Sequence, residues 1–173
     1  MSRRIAVIGN ALGFQLLWLL CVQGNNILAV AATAIALIGH WRWVANFSDE
    51  WRLVVTFALC GLLSESIIAN LGLIQFHGVI GLQSIGLPLY IAPPWLVCLW
   101  AMMATTLRHS LIFLDCRPLL AVVLALVFVP LSYFAGAKIS GSILVDPMYL
   151  PLLVEGLIWA VALPLAMALV RPQ

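Results

Sequence analysis

Charged side chains are scarce in this chain. They make up 8% of its 173 residues, whereas hydrophobic residues make up 65% and the mean hydropathy is +1.16. Soluble domains carry about 25% charged residues, so this composition suits a lipid bilayer rather than water. The formal net charge is only +2 and no run of five basic residues occurs, so nucleic acid is not an expected partner.

Catalytic and metal-binding motifs are also missing. The sequence contains no HExxH, GxSxG, P-loop or dinucleotide-binding pattern. No CxxC or zinc-finger spacing relates its four cysteines, and we interpret the first three, Cys21, Cys60 and Cys98, as apolar packing residues. The sequence therefore predicts no metal site and no cofactor, and it identifies no reaction.

Long apolar stretches, by contrast, are abundant. Six of them approach the roughly 20 residues that a membrane-spanning helix requires. We expect an all-α, polytopic transmembrane helix bundle that forms a single domain over residues 1–173. The six short spans are predicted at about 5–22, 25–42, 53–74, 94–114, 119–136 and 150–170. Glycine and proline interrupt the apolar connection 75–93, which argues against a continuous helix there and favours a lid or a shallow re-entrant segment.

The basic residues are distributed unevenly between the two sides of this predicted bundle. If the N-terminus is inside, seven of the eight fall in cytoplasmic segments and Lys138 alone falls outside. Lys and Arg resist translocation and accumulate on the cytoplasmic side. The sequence therefore predicts that both termini are cytoplasmic.

Two glutamates lie within the predicted spans, Glu65 in the third and Glu155 in the sixth. At about 1.5 Å per residue, both fall in the outer half of the bilayer. Ionisable groups there usually face the bundle interior, and desolvation without a nearby cation favours the protonated carboxyl. We predict a ligand-binding polar pocket in the outer half, formed by these glutamates with Asn10, Gln15 and Asn70. The alternative is that each neutral carboxyl simply makes an interhelical hydrogen bond.

A second candidate site lies at the predicted cytoplasmic boundary. Its candidate residues are His40, Thr105, His109 and Asp115. Asp49, Glu50 and several arginines belong to the same rim, and no fixed ligand spacing is present. A solvated ion-pair network is therefore favoured over a metal or lipid-headgroup site.

Several short patterns in this sequence occur together in one known family. They are Asn10 with Gln15 and Trp18, Gly61 with Glu65-Ser66, Pro94-Trp95-Leu96 with Leu99-Trp100, the segment 106–111, and the segment 130–136. With these patterns, nearly the whole chain resembles a bacterial inner-membrane family catalogued as domain of unknown function 2878. The resemblance implies a multi-pass protein of the bacterial cytoplasmic (inner) membrane, supplies no reaction, and favours a lipid-related role.

Three functional hypotheses follow. The first is a protein that binds membrane lipids or another hydrophobic small molecule in the outer-half pocket. The second is an enzyme, or the partner of a membrane enzyme, in fatty-acid or lipid modification at the cytoplasmic face, with His109 and Asp115 among its working residues. The third is a proton-coupled small-molecule carrier, for which a homo-oligomer is expected; Gly9 and Gly13 form a GxxxG pair suited to such an interface.

Overall fold

The computed structural model describes residues 3–170, over which the chain forms six α-helices. They are α1 Arg3–Cys21, α2 Asn26–Trp43, α3 Phe47–Asn70, α4 Pro94–Leu107, α5 Pro118–Ser140 and α6 Tyr149–Leu169. Four two-residue strands, β1 Ile74–Gln75, β2 Ile80–Gly81, β3 Tyr90–Ile91 and β4 Ile143–Leu144, form the antiparallel pairs β1–β4 and β2–β3. Single 3-10 turns cover Gln83–Ile85 and Ile112–Leu114. The predicted all-helical architecture is confirmed.

Three of these helices, α3, α5 and α6, are long and apolar enough to cross a membrane, judged by length and composition alone. The apolar helix α4 is shorter; its 14 residues extend over about 21 Å. Large apolar side chains are exposed on the outward faces of the helices, where a soluble protein would carry polar groups. Examples are Leu16, Ile35, Leu63, Leu131 and Leu165.

Helix α3 begins and ends earlier than the predicted span 53–74. It starts at Phe47 and stops at Asn70. Asp49 and Glu50 occupy its first turn, where negative charge is favoured by the helix dipole. A prediction from hydropathy leaves such charged residues out of the membrane span. They are nevertheless well suited to the first turn of a helix, so α3 begins before the predicted span.

Helix α4 ends at Leu107, seven residues before the end of the predicted span 94–114. In its last turn the hydroxyls of Thr105 and Thr106 donate to carbonyls three residues earlier, at 2.7 and 2.6 Å. Side-chain bonds of this kind compete with regular helix continuation. The backbone N–H of Leu111 then bonds to the Thr106 carbonyl, so the chain turns back.

The two ends of the bundle differ. We call the end formed by connections 22–25, 71–93 and 141–148 the sheet end, because it carries all four strands. We call the opposite end, with connections 44–46 and 108–117, the histidine end. Both names refer only to position in the bundle.

At the sheet end the connections are bonded to one another and to the helices. The β1–β4 pair joins the connection after α3 to the connection after α5. The indole N–H of Trp95 donates to the carbonyl of His77 at 2.9 Å, and the amide of Asn26 donates to the carbonyl of Gly78 at 3.3 Å. These bonds attach the connection 71–93 to α2 and α4 as a cap over the bundle.

The short helix α4 lies at the centre. It packs against α1, α2 and α3, whereas α5 pairs with α6 as a hairpin. Ten of its fourteen residues are buried, which is the pattern of a helix surrounded by others. Gly61 of α3 allows this approach, because a Cβ atom there would overlap the ring of Trp100. We call α1 to α4 the four-helix group. Trp100 contacts Trp159 of α6, with ring centroids 4.3 Å apart, and so joins the four-helix group to the α5–α6 hairpin.

Candidate functional site

Glu65 of α3 and Glu155 of α6 meet inside the bundle. Both are fully buried, and their carboxyl groups are close enough to interact electrostatically. Oε1 of Glu65 accepts a hydrogen bond from Nε1 of Trp100 at 2.9 Å and another from the hydroxyl of Tyr133. This carboxyl cluster therefore links α3, α4, α5 and α6.

The carboxyl cluster has no cationic partner within the described part of the chain, where both ion pairs involve Glu50. Oε2 of Glu65 and both carboxyl oxygens of Glu155 have no hydrogen-bond partner there. Two unpaired carboxylates in apolar surroundings would each cost several kcal/mol. Protonation of one of the two carboxyl groups would supply a donor and remove one of the two charges.

An apolar cavity of about 690 Å³ lies between the four-helix group and the α5–α6 hairpin. It extends from Ile74 and Leu144 at the sheet end to Leu111 and Phe113 at the histidine end, so it follows most of the bundle's length. Its few polar lining residues are Gln15, Ser132, Tyr133 and Ser142, beside the indole rings of Trp18, Trp95, Trp100 and Trp159. The cavity therefore has the shape and chemistry of a site for an elongated apolar molecule.

The carboxyl pair does not itself line this cavity. The part of the cavity wall next to the pair is formed by Tyr133, Trp100 and Trp159. Glu65 and Glu155 lie behind these side chains. The hydroxyl of Tyr133 and the indole of Trp100 are thus the groups through which a ligand would influence the carboxyl cluster.

Three of the five residues predicted for the outer-half pocket lie away from the carboxyl pair. Gln15 is exposed and lines the cavity from α1. Asn10 donates from Nδ2 to the carbonyl of Thr105 at 3.1 Å and accepts at Oδ1 from the hydroxyl of Ser110 at 2.7 Å. Because Asn10 lies early in α1, it is level with the last turn of α4 at the histidine end, and it joins those two helices.

Asn70, the fifth of these residues, is the last residue of α3 and fixes the adjacent connection. Its Nδ2 donates to the carbonyl of Tyr90 at 2.7 Å, and its Oδ1 accepts from the Tyr90 N–H at 2.9 Å. The side chain therefore pairs with β3 as another strand would, and it holds the cap in place.

At the histidine end a second cluster forms around Glu50 in the first turn of α3. Its Oε2 is 2.7 Å from Nε2 of His40 in α2, and its Oε1 is 3.0 Å from Nε2 of His109 in the turn after α4. The side chains of His40 and Glu50 are 5% and 4% exposed, and that of His109 is 18% exposed. We call these three residues the histidine cluster.

The histidine cluster differs from the solvated ion-pair network predicted for this rim. It is buried, and Arg108 donates to the backbone carbonyl of Asp49 at 3.0 Å instead of pairing with a carboxylate. Thr105 is buried and bonds within its own helix, so it does not reach the cluster. Asp115 is half-buried in the turn before α5 and also lies outside the cluster.

Sequence reasoning did not identify the donors of the carboxyl cluster or the central role of Glu50. Trp100 and Tyr133 both occur in the patterns that carry the family resemblance, which was the available signal for them. For Glu50 the only local signal was a negative charge near a helix start.

Comparisons with known proteins identify the family of this chain. No curated protein and no solved structure matches it. A family model described as "Protein of unknown function (DUF2878)" matches residues 7–165, a range that contains both clusters and all residues that line the cavity. The match confirms the resemblance inferred from sequence, and the chain belongs to the DUF2878 family of proteins of unknown function.

Proposed function

We propose that this protein is a multi-pass membrane protein that binds a lipid or another hydrophobic small molecule in the cavity between the four-helix group and the α5–α6 hairpin. The main observation that supports this proposal is the cavity. Its volume of about 690 Å³ lies within the range of about 300–1,000 Å³ that is usual for small-molecule sites. Its apolar walls and few polar groups suit an acyl chain or a molecule of similar shape.

The exposed residues of the cavity wall indicate where such a ligand enters. Phe128 and Leu131 on α5 line the cavity and are 60% and 58% exposed, and Gln15 on α1 is exposed as well. The cavity therefore opens sideways between α1 and α5, on the apolar surface of the bundle. A ligand dissolved in the bilayer enters there without crossing water.

We further propose six membrane spans with both termini in the cytoplasm of a bacterial inner membrane. Support comes from the charges at the two ends of the bundle. The sheet end carries Lys138, whereas the histidine end carries Arg42, Arg52, Arg108 and Arg117. This asymmetry favours a cytoplasmic histidine end. The short α4 is surrounded by other helices, so its length need not match the full bilayer thickness.

Quenching of tryptophan fluorescence by dibromostearate tests ligand binding, because four tryptophans line the cavity. The purified protein in mild detergent is titrated with this fatty acid, and saturable quenching is expected. Ser132→Phe fills the cavity from α5 and is expected to weaken the apparent affinity at least about tenfold. Val127→Phe is the matched control, because Val127 is 48% exposed on the same helix and does not line the cavity. Equal, non-saturating quenching of all three proteins would show partition into micelles and contradict the proposal.

A proton-coupled carrier is the second candidate, and the carboxyl cluster is the observation that favours it. Tyr133 lines the cavity and donates to Glu65, so a ligand that displaces its hydroxyl would change the protonation of the Glu65 and Glu155 pair. Proton release or uptake on dibromostearate binding, measured with an indicator in weak buffer, is expected in the wild type and not in Glu65→Gln. No proton change in the wild type would contradict the carrier and leave ligand binding unaffected.

A further inference from the structure

Three side chains at the histidine end direct nitrogen and oxygen atoms at one another. They come from the last turn of α2, the first turn of α3 and the turn after α4, and each offers one ligand atom within 4.8 Å of the others. His40 and His109 both present Nε2 to the carboxylate of Glu50, at 2.7 and 3.0 Å. Their rings meet edge to face, with centroids 5.1 Å apart.

These spacings are close to the edges of a metal coordination shell. With metal–ligand bonds of about 2.0–2.1 Å, neighbouring ligand atoms lie about 2.9–3.4 Å apart. The two distances from the histidines to Glu50 are close to this length and end on different carboxylate oxygens. The carboxylate would therefore bind the ion through both oxygens or rotate towards it with one. The ligand nitrogens of the two histidines are at most 4.8 Å apart, so a shared metal ion would draw them together by at most about 1–2 Å.

The electrostatics of the histidine cluster also favour a bound cation. The carboxylate of Glu50 is almost fully buried, and no Lys or Arg side chain forms an ion pair with it in the described part of the chain. Buried charges are usually paired or coordinate metals. A divalent ion would neutralise Glu50 while both imidazoles remain neutral, which is the form in which histidine binds metal.

We propose that His40, Glu50 and His109 bind a single divalent transition-metal ion of the zinc type. Two imidazoles and one carboxylate are a donor set that suits zinc and iron better than calcium or magnesium. Three protein ligands leave at least one coordination position open, and the 18% exposure of the His109 side chain shows that the cluster borders the surface. The proposal revises the expectation, drawn from sequence, that no metal site is present, and it is independent of ligand binding in the cavity.

The test is a zinc titration of the full-length protein, purified without a histidine tag and depleted of metal with a chelator. Bound zinc, measured by mass spectrometry after removal of excess ion, is expected to reach one ion per chain. His109→Gln is expected to weaken zinc binding by about 100-fold or more. Because His77 lies at the sheet end, far along the bundle from the other two histidines, His77→Gln is the matched control and is expected to bind zinc like the wild type.

A second measurement separates loss of the site from loss of folding. Cobalt(II) added to the wild type is expected to give the visible absorption of a nitrogen- and oxygen-ligated ion, and zinc is expected to raise the thermal unfolding temperature. His109→Gln keeps the bond between His40 and Glu50, so it is expected to elute as a folded protein from size exclusion yet to show neither effect. Zinc binding far below one ion per wild-type chain, or equal binding by the wild type and a folded His109→Gln, would overturn the proposal.

Discussion

Glu65 is the residue on which the polar contacts inside the bundle converge, because it accepts from Trp100 and Tyr133 and faces Glu155. Replacing Glu65 by Ala leaves the buried donor of Trp100 and the partly buried donor of Tyr133 without an acceptor, and an unsatisfied buried donor costs about 1–3 kcal/mol. We expect Glu65→Ala to lower the free energy of unfolding by about 2–5 kcal/mol, and Glu65→Gln, which keeps an acceptor, by less. Unfolding in mixed micelles of mild detergent and dodecyl sulfate measures both.

A double-mutant cycle with Tyr133→Phe tests whether these contacts act as one network. In the wild type, loss of the Tyr133 hydroxyl removes a donor to Glu65; in Glu65→Ala the same change removes a group that has already lost its acceptor. The two substitutions should therefore cost about 0.5–3 kcal/mol less together than the sum of their separate effects. Strict additivity would contradict the network.

Sequence revealed the acids of the carboxyl cluster and not its donors. A glutamate in an apolar span is expensive and so is conspicuous, which is why Glu65 and Glu155 were identified. Trp100 and Tyr133 are apolar enough to be ordinary packing residues, and only the crossing of α3, α4 and α5 shows that their polar atoms converge. Glu50 was expected in a solvated rim. Its burial could not be predicted because it depends on His40 of α2 and on His109 of the turn after α4, which are distant from it or from each other in sequence.

At the scale of elements, Asn70 holds the cap at the sheet end by pairing with both backbone groups of Tyr90. We expect Asn70→Ala to release β3 and its partner β2, because these two-residue strands are too short to be stable alone. Amide hydrogen exchange of the peptides that cover residues 78–92 should become faster by about tenfold or more, as expected for a loss of about 1.4 kcal/mol of local stability.

Gln23→Ala is the matched control for Asn70→Ala. Gln23 is also a polar residue at the sheet end, but among residues 3–170 its side chain bonds only to the carbonyl of Leu19, at 3.3 Å, in the preceding helix. Its removal should leave exchange in residues 78–92 unchanged. If Asn70→Ala also leaves these peptides unchanged, the cap is held by other contacts, such as the bond from Trp95 to His77.

Helix positions were more predictable than helix ends. Hydropathy locates apolar stretches, and each of the six predicted stretches coincides with most of one helix. The ends depend on local hydrogen bonds that hydropathy does not record. Asp49 and Glu50 extend α3 beyond its apolar part, and the hydroxyls of Thr105 and Thr106 accompany the end of α4 within an apolar stretch.

For the whole molecule, the two polar clusters lie towards opposite ends of α3. Glu50 and Glu65 are 15 residues apart in one helix, which corresponds to about 22 Å along its axis. The cavity extends along the bundle between these levels, beside the hairpin. No sequence pattern predicts this cavity, because its existence depends on how far the α5–α6 hairpin stands from the four-helix group.

The proposed orientation makes a prediction about access from the two sides of the membrane. Cys116 is exposed at the histidine end, and Ser84 is exposed in the 3-10 turn of the sheet end. With the histidine end in the cytoplasm, a membrane-impermeant maleimide should label Cys116 in inside-out vesicles and not in intact spheroplasts. A Ser84→Cys variant in a Cys116→Ser background should show the opposite result.

Two controls make this labelling decisive. Cys60 is exposed on an apolar helix face, so Cys60→Ser is used throughout to remove its signal, whereas Cys21 is buried and can remain. The Cys60→Ser, Cys116→Ser protein without an added cysteine reports any residual labelling of the remaining cysteines.

Only α4 separates position 84 from position 116 as a full helix, so labelling of both from the same side would show that α4 does not cross the bilayer and would contradict six spans. Labelling of Cys116 from outside and of position 84 from inside would keep six spans and reverse the orientation, and the proposed metal site would then face the periplasm.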